Sequence, residues 1–252
     1  MYGLEVNENQ LEGRNAILEA LKSGRDIEKL FVLKGNVEGT IKRIIAQAAQ
    51  KGIVIQEVSR QKLDELSQTK NHQGVIALAS AHNYAEIEDI LENARQKGED
   101  PFIILLDGIT DPHNLGALIR SAECAGAHGV IIPKRRSVGL NATVGKTSAG
   151  AIEYMPVARV TNLVKTMEQL KKQGLWFACA DMKGLDYFDT DLKGPLGIII
   201  GSEGDGVSRL VKENCDFTVS VPMYGKIDSL NASVAGALFM YEVVRQRRFT
   251  LS

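Results

Sequence analysis

The chain has 252 residues, 44% hydrophobic and 24% charged. These proportions exclude a disordered or fibrous polypeptide and leave room for one or two globular domains. Against 31 Asp and Glu stand 30 Lys and Arg, a formal net charge of −1, which disfavours a protein that coats nucleic acid non-specifically. The N-terminus, MYGLEVNENQLEG, lacks the basic start and apolar run of a signal peptide. The longest apolar runs, such as Phe102–Leu106, are too short to span a bilayer, so a cytoplasmic protein with no membrane partner is expected. Cys124, Cys179 and Cys215 are odd in number and widely spaced, with no C-x-x-C pair. They support neither a disulfide framework nor a zinc site and read as reduced, buried thiols.

Residues 1–80 read as a small α/β unit. Ile17, Leu18 and Leu21 stand at helical spacing in Arg14–Lys22, and Lys29–Leu33 is a short apolar strand. Ile41, Ile44, Ile45 and Ala48 mark a second helix closed by Gly52, and Ile53–Val58 a second strand. Ser59 caps a short helix reaching Leu66, and Val75–Ala79 follows the polar loop TKNHQ as a third strand. Residues 81–100 read as a polar connector, AEIEDILENARQKGED, with Ile87, Ile90, Leu91 and Ala94 at helical spacing, either a helix lying on a neighbour or a helical linker.

From 101 to 252 the pattern alternates again. Strands are predicted at Phe102–Asp107, Gly129–Ile132, Met155–Val160, Leu175–Ala180, Leu196–Gly201 and Phe217–Val221. Most are continuous apolar runs, as a parallel sheet covered on both faces requires. Helices are predicted at Asn114–Ala125, Asn162–Gln173, Gly206–Glu213 and Asn231–Arg248.

Three polar or glycine-rich segments follow strands, where open α/β sheets bind ligands. The first is DGITDPHN, with Asn114 placed to cap a helix and Arg120 two turns further on. Arg120 stands among Leu118, Ile119 and Ala122, a setting in which an arginine needs an anionic partner. The second is GSEGDG, from Gly201 to Gly206. Its G-x-x-G-x-G spacing is not the dinucleotide fingerprint and it lacks the Lys-Ser/Thr of a P-loop, which speaks against a dinucleotide-dependent oxidoreductase on a doubly wound sheet. Glu203 and Asp205 would repel a phosphate but suit a cationic or hydroxyl-rich ligand. The third is VPMYGKIDSLN, from Val221 to Asn231, where Ser229 and Asn231 are natural caps. Small residues (Ala232, Ser233, Ala235, Gly236, Ala237) open the helix that follows and permit close approach of a ligand or another backbone.

Taken in order, Asn114…Arg120, IIIGSEGDG and VPMYGKIDSLNASVAGALFMYEVVRQR resemble motifs one, two and three of the SpoU (TrmH-type) RNA ribose 2'-O-methyltransferases, in the SPOUT superfamily. The resemblance covers roughly residues 102–248, and its third motif is the most specific. EGRNAILEAL and NHQGVIAL resemble, more weakly, the L30e/L7Ae-like substrate-binding domain that many members carry. The resemblance implies a trefoil-knotted catalytic domain, one of the few exceptions to unknotted topology. It implies S-adenosylmethionine as methyl donor without a metal, a homodimer with its active site near the interface, and a guanosine ribose of 23S ribosomal RNA as substrate. A transfer-RNA substrate and a non-catalytic RNA-binding assembly factor are the competing readings.

Carried onto this chain, the resemblance assigns Asn114, Arg120, Glu203, Ser229 and Asn231 to the active site. Gly201, Val221 and Leu230 would hold the donor. A guanidinium stays protonated at neutral pH, so Arg120 is expected to fix a phosphate and stabilise a developing alkoxide rather than act as a simple base. Expected RNA contacts are Lys134, Arg135 and Arg136 after the strand GVIIP, and Arg14, Asn15, His72 and Gln73 in the first domain. Lys146, Arg209, Arg245, Arg247 and Arg248 are weaker candidates.

Overall fold

A computed structural model describes residues 9–35 and 38–249. Two compact units divide the chain, Met1–Asn83 and Tyr84–Ser252. In the first, strands β1 (Gln10–Glu12), β2 (Ile27–Leu33), β3 (Val54–Val58) and β4 (Val75–Ala79) form one sheet in the order β1-β4-β2-β3. β2 and β3 are parallel, while β4 runs antiparallel to both β2 and β1. The period-two alternation along β2 sorts its side chains to two faces. Leu30 and Val32 pack with Ile17 and Leu21 of α1 (Arg14–Lys22) and with Ile41 and Ile44 of α2 (Gly39–Gln50). Phe31 and Leu33 face the other way, towards Leu63 of α3 (Arg60–Leu66). Ser59 caps α3 by accepting from Lys62 N at 3.2 Å.

The second unit begins at residue 84, and the segment expected as a linker is part of it. α4 (Ile87–Lys97) seats Ile90, fully buried, among Ile103, Leu105 and Ile131. The helical spacing of Ile87, Ile90 and Leu91 therefore marks a packed face, the reading of a helix lying on a neighbour. Six parallel strands follow: β5 (Phe102–Asp107), β6 (Gly129–Pro133), β7 (Val157–Val160), β8 (Trp176–Asp186), β9 (Leu196–Gly201) and β10 (Phe217–Ser220). Their order is β10-β8-β9-β5-β6-β7. One face is covered by α5 (Pro112–Cys124), α6 (Ala142–Thr147) and α9 (Ala232–Arg248). The other is covered by α4, α7 (Leu163–Lys171) and α8 (Arg209–Glu213). From β5 the chain proceeds outward to β6 and β7 and then crosses to β8 and β9. The order reverses between β5 and β9, which makes the crevice above their carboxyl ends the natural ligand site.

Several expectations need correction. The predicted helix from Gly206 starts at Arg209, because Gly206, with φ +66°, still belongs to the preceding turn. The three-residue β1 and the six-residue α6 were not predicted. Cys179 is buried and Cys215 partly so, but Cys124 is exposed at the end of α5. Among the described residues no helix is long and apolar enough to cross a membrane.

Candidate active site

Three loops meet at the crevice, each aimed by local chemistry. After β5, Asp111 caps α5 by accepting from His113 N at 2.8 Å, and Pro112 supplies the preset φ of the first helical position. Asp111 thus takes the capping role expected of Asn114, which instead sits inside the first turn and spends its amide on the other two loops. After β9, the chain folds back on itself. Ser202 N donates to Gly206 O at 3.2 Å, and Gly206 N to Ser202 O at 3.0 Å. A Cβ on Gly201 would strike the Gly206 and Val207 backbone, so only glycine fits at the base of this turn. Glu203 stands at its tip. The exit of the turn is tied to β5, because Asp107 Oδ2 accepts from Ser208 N at 2.8 Å.

The third loop ends at Asn231, which caps α9. Its Oδ1 accepts from Ser233 N (2.9 Å), Val234 N (3.3 Å) and Ser233 Oγ (2.6 Å). That fixes the amide, so Nδ2 points at the other two loops. It donates to Asn114 Oδ1 at 3.0 Å and, in a short contact, to Glu203 Oε1. Asn114 Nδ2 donates to the same Glu203 oxygen at 2.9 Å. One carboxylate oxygen therefore receives both asparagines, drawn from points 89 and 28 residues away in sequence.

Beside this triad lies a cleft of about 540 Å³, within the range of ligand-binding pockets. Gly201, Glu203, Val221, Ser229, Leu230 and Asn231 all line it. Sequence reasoning missed Asp181, Met182, Met223, Asp228 and Phe239 in the same wall. The signal for Asp181 was its place just past an apolar strand run, where α/β sheets put ligand-facing groups. Burial opposes ionisation of Asp181, but hydrogen bonds from Lys212 Nζ (2.6 Å) and Lys183 N (3.0 Å) more than offset it and hold its carboxyl below the usual range. The described lining residues include four carboxylates, Asp181, Glu203, Asp205 and Asp228, and no Lys, Arg or His. Such a cleft suits a cationic ligand with an apolar part and rejects a phosphate.

Arg120 departs from expectation. It is exposed and outside the triad. Six residues along a helix turn by about 240° relative to Asn114, so the two side chains leave α5 on different sides. Lys134, Arg135 and Arg136 follow β6 at the same end of the sheet as the cleft, with Arg135 and Arg136 exposed. Arg245, Arg247 and Arg248 do not. α9 runs about 25 Å from the cleft towards the opposite end of the sheet. There Arg247 donates to the carbonyls of Asp100, Pro101 and Gly194, and Arg245 pairs with buried Glu242 at 2.7 Å.

In the first unit, Arg14 N donates to Gln73 Oε1 and Arg14 Nε to Gln73 O, both at 3.1 Å, beside exposed Asn15. His72 is buried, and both its ring nitrogens are engaged. Nδ1 accepts from Gly74 N at 3.0 Å and Nε2 lies 2.9 Å from Asp64 Oδ1. His72 therefore shapes the loop and is not free to read RNA.

The profile of the SpoU rRNA Methylase family matches residues 101–241. That of the RNA 2'-O ribose methyltransferase substrate-binding family matches residues 10–85. YacO of Bacillus subtilis (strain 168), assigned to the TrmH family of tRNA/rRNA methyltransferases, is 50% identical over 93% of this chain and 94% of its own. A Staphylococcus haemolyticus protein of the same description is 47% identical over the same shares. The SpoU methyltransferase AviRb of Streptomyces viridochromogenes, solved in complex with its cofactor AdoMet, is 25% identical. It superposes with a TM-score of 0.60 over 94% of this chain and 89% of that one.

Proposed function

The chain belongs to the SpoU (TrmH-type) family of RNA methyltransferases, and from that premise we propose that it transfers the methyl group of S-adenosylmethionine to the 2'-hydroxyl of a guanosine ribose in 23S ribosomal RNA. The observation that carries the reading is the Asn114–Glu203–Asn231 triad on the rim of a carboxylate-lined cleft. Such a cleft fits a donor that bears a sulfonium, an ammonium group and an aromatic base. Val221, Leu230 and Phe239 would take the base, and the carboxylates the positive charges. When bound, the donor supplies a methyl carbon made electrophilic by the sulfonium.

The chain's own residues do the rest. Glu203 holds both asparagine amides in fixed orientations, leaving the second Nδ2 hydrogen of Asn114 to meet a ribose oxygen. Ser229, on the loop leading to Asn231, would align the ribose with the donor. Alignment of this kind is a large source of rate for a displacement reaction. The 2'-hydroxyl would take up the methyl group that the donor supplies and would release its proton to solvent. Arg120 would anchor the adjacent phosphate and stabilise the developing oxyanion.

Because Arg120 lies outside the triad of its own chain, the proposal includes a homodimer that supplies it across an interface. On α9, Val234, Leu238 and Tyr241 are exposed at helical spacing on one stripe, which supports such an interface. The knotted threading of the loops around the cleft belongs to the same reading. So do the roles of Lys134, Arg135 and Arg136, and of Arg14, Asn15 and Gln73, as RNA contacts. Arg120→Lys tests the assignment. Turnover should fall sharply while calorimetric titration shows unchanged donor affinity; near-normal turnover would remove Arg120 from the reaction.

A further inference from the structure

The loop between β10 and α9 carries more exposed apolar surface than its length explains. Tyr224 is 92% exposed and Ile227 71%, with Met223 and Leu230 at 38% each. Scattered single apolar residues are ordinary on a surface, but four within eight positions of one loop form a patch. The loop is also placed. Met223 on one side and Asp228 to Asn231 on the other line the cleft, so Tyr224 to Ile227 form its outer tip. Tyr224 is adjacent to the lining residue Met223, about 3.8 Å along the backbone, and its side chain is almost wholly exposed.

Resting on the reaction proposed above, we infer that Tyr224 is the platform on which the nucleobase of the target nucleotide stacks. A ribose whose 2'-oxygen reaches the triad carries its base on the neighbouring carbon, and that base must lie at the cleft's rim. On that reading the donor takes the cleft, whose lining includes Asp181, Glu203, Asp205 and Asp228, and leaves the base its rim. Single-stranded RNA is recognised by stacking unpaired bases on aromatic side chains. Every base offers a π face, so a tyrosine ring serves without reading sequence. Lys226, two residues on, supplies a cation for the flanking backbone.

The contact is tested by binding, independently of turnover. An unmodified 23S rRNA transcript is titrated into the wild type, Tyr224→Ala and Tyr224→Phe. Loss of one stacked base weakens binding by about 5- to 100-fold. The alanine variant should show that loss and the phenylalanine variant almost none, with donor affinity unchanged in both. In a Trp176→Phe, Tyr224→Trp chain, the indole at 224 is the single tryptophan. Its fluorescence should be quenched by the RNA and not by donor alone. Alanine-variant binding equal to wild type overturns the inference. So does a selective loss of donor affinity, or a change in oligomeric state in sedimentation, since the ring would then cover the donor or a second copy. Failure of the wild type to methylate any RNA, with quenching intact, would sink the reaction but leave the stacking contact standing.

Discussion

At the scale of single residues, the site turns on Glu203 Oε1, which accepts from two amides at once. Hydrogen bonds to a charged acceptor are worth roughly 1.5–3 kcal/mol each. Glu203→Gln keeps the shape and removes the charge, so single-turnover methylation at saturating donor should slow by about 10- to 100-fold. An unchanged rate would mean that the triad is only a scaffold. Glu12 is a purely structural counterpart in the first unit. Burial disfavours its charged form, yet hydrogen bonds from Thr69, Ser67, Gln68 and Gln10 override that and bring its pKa from 4.5 to about 2. A carboxylate whose folded pKa is depressed stabilises the fold above its unfolded value and loses that contribution as pH falls through the folded one. The wild type should therefore lose stability between about pH 4.5 and 2, and Glu12→Gln should be less stable at pH 7 but show a flatter decline. Urea denaturation across that range reads both.

The residue scale also shows where sequence reasoning misleads. Leu118, Ile119 and Ala122 are buried, and Arg120 beside them is not. Successive helical residues point about 100° apart, so sequence neighbours say little about which face an arginine occupies. Asn114 read as a cap because its chemistry allows it. Asp111–Pro112, three and two residues ahead, was the stronger start signal and left Asn114 for the site.

Among the elements, the two strands at the centre of the larger sheet were legible to the residue. Phe102–Asp107 and Leu196–Gly201 are central strands, and their apolar runs begin and end where the sheet does. β8 was read as far as Ala180 but runs on to Asp186. Beyond Cys179 it leaves β9 and pairs with β10 alone, so its outer half is partly solvated and loses the apolar signature. β1 and α6 are too short to show any period. The β8–β10 pair shifts register between Thr218 and Val219, and a Cβ on Gly184 would lie 2.5–2.6 Å from the Val219 backbone. Backbone cannot yield as a flexible side chain does. Gly184→Ala should thus cost about 1–3 kcal/mol of unfolding free energy. It should also weaken donor binding, because β10 leads directly to Val221 in the cleft wall. A denaturation curve superposable on the wild type would show that the strands part freely.

For the whole molecule, a net charge of −1 is compatible with RNA binding if cations are placed rather than abundant. Of those in α9's last turn, Arg245 is spent on Glu242, Arg247 on backbone carbonyls at the far end of the sheet, and Arg248 faces Glu99 at 3.8 Å. Lys134, Arg135 and Arg136 stand above β6, two strands from β9 and so roughly 10 Å across the sheet from it. Replacing all three with alanine should weaken RNA binding and flatten its dependence on salt, since fewer counterions are released. An unchanged salt slope would exclude the patch. The division of labour between the two units, RNA capture by the first and methyl transfer by the second, rests on the same reading.

The central claim is chemical and has one direct measurement. The wild-type protein is incubated with isotopically labelled S-adenosylmethionine, unmodified ribosomal RNA and unmodified transfer RNA, and the labelled nucleotide is mapped. Label on a guanosine ribose 2'-oxygen of 23S rRNA is the expected result. Label confined to transfer RNA would contradict the proposed substrate, and no label in either would contradict the proposed reaction.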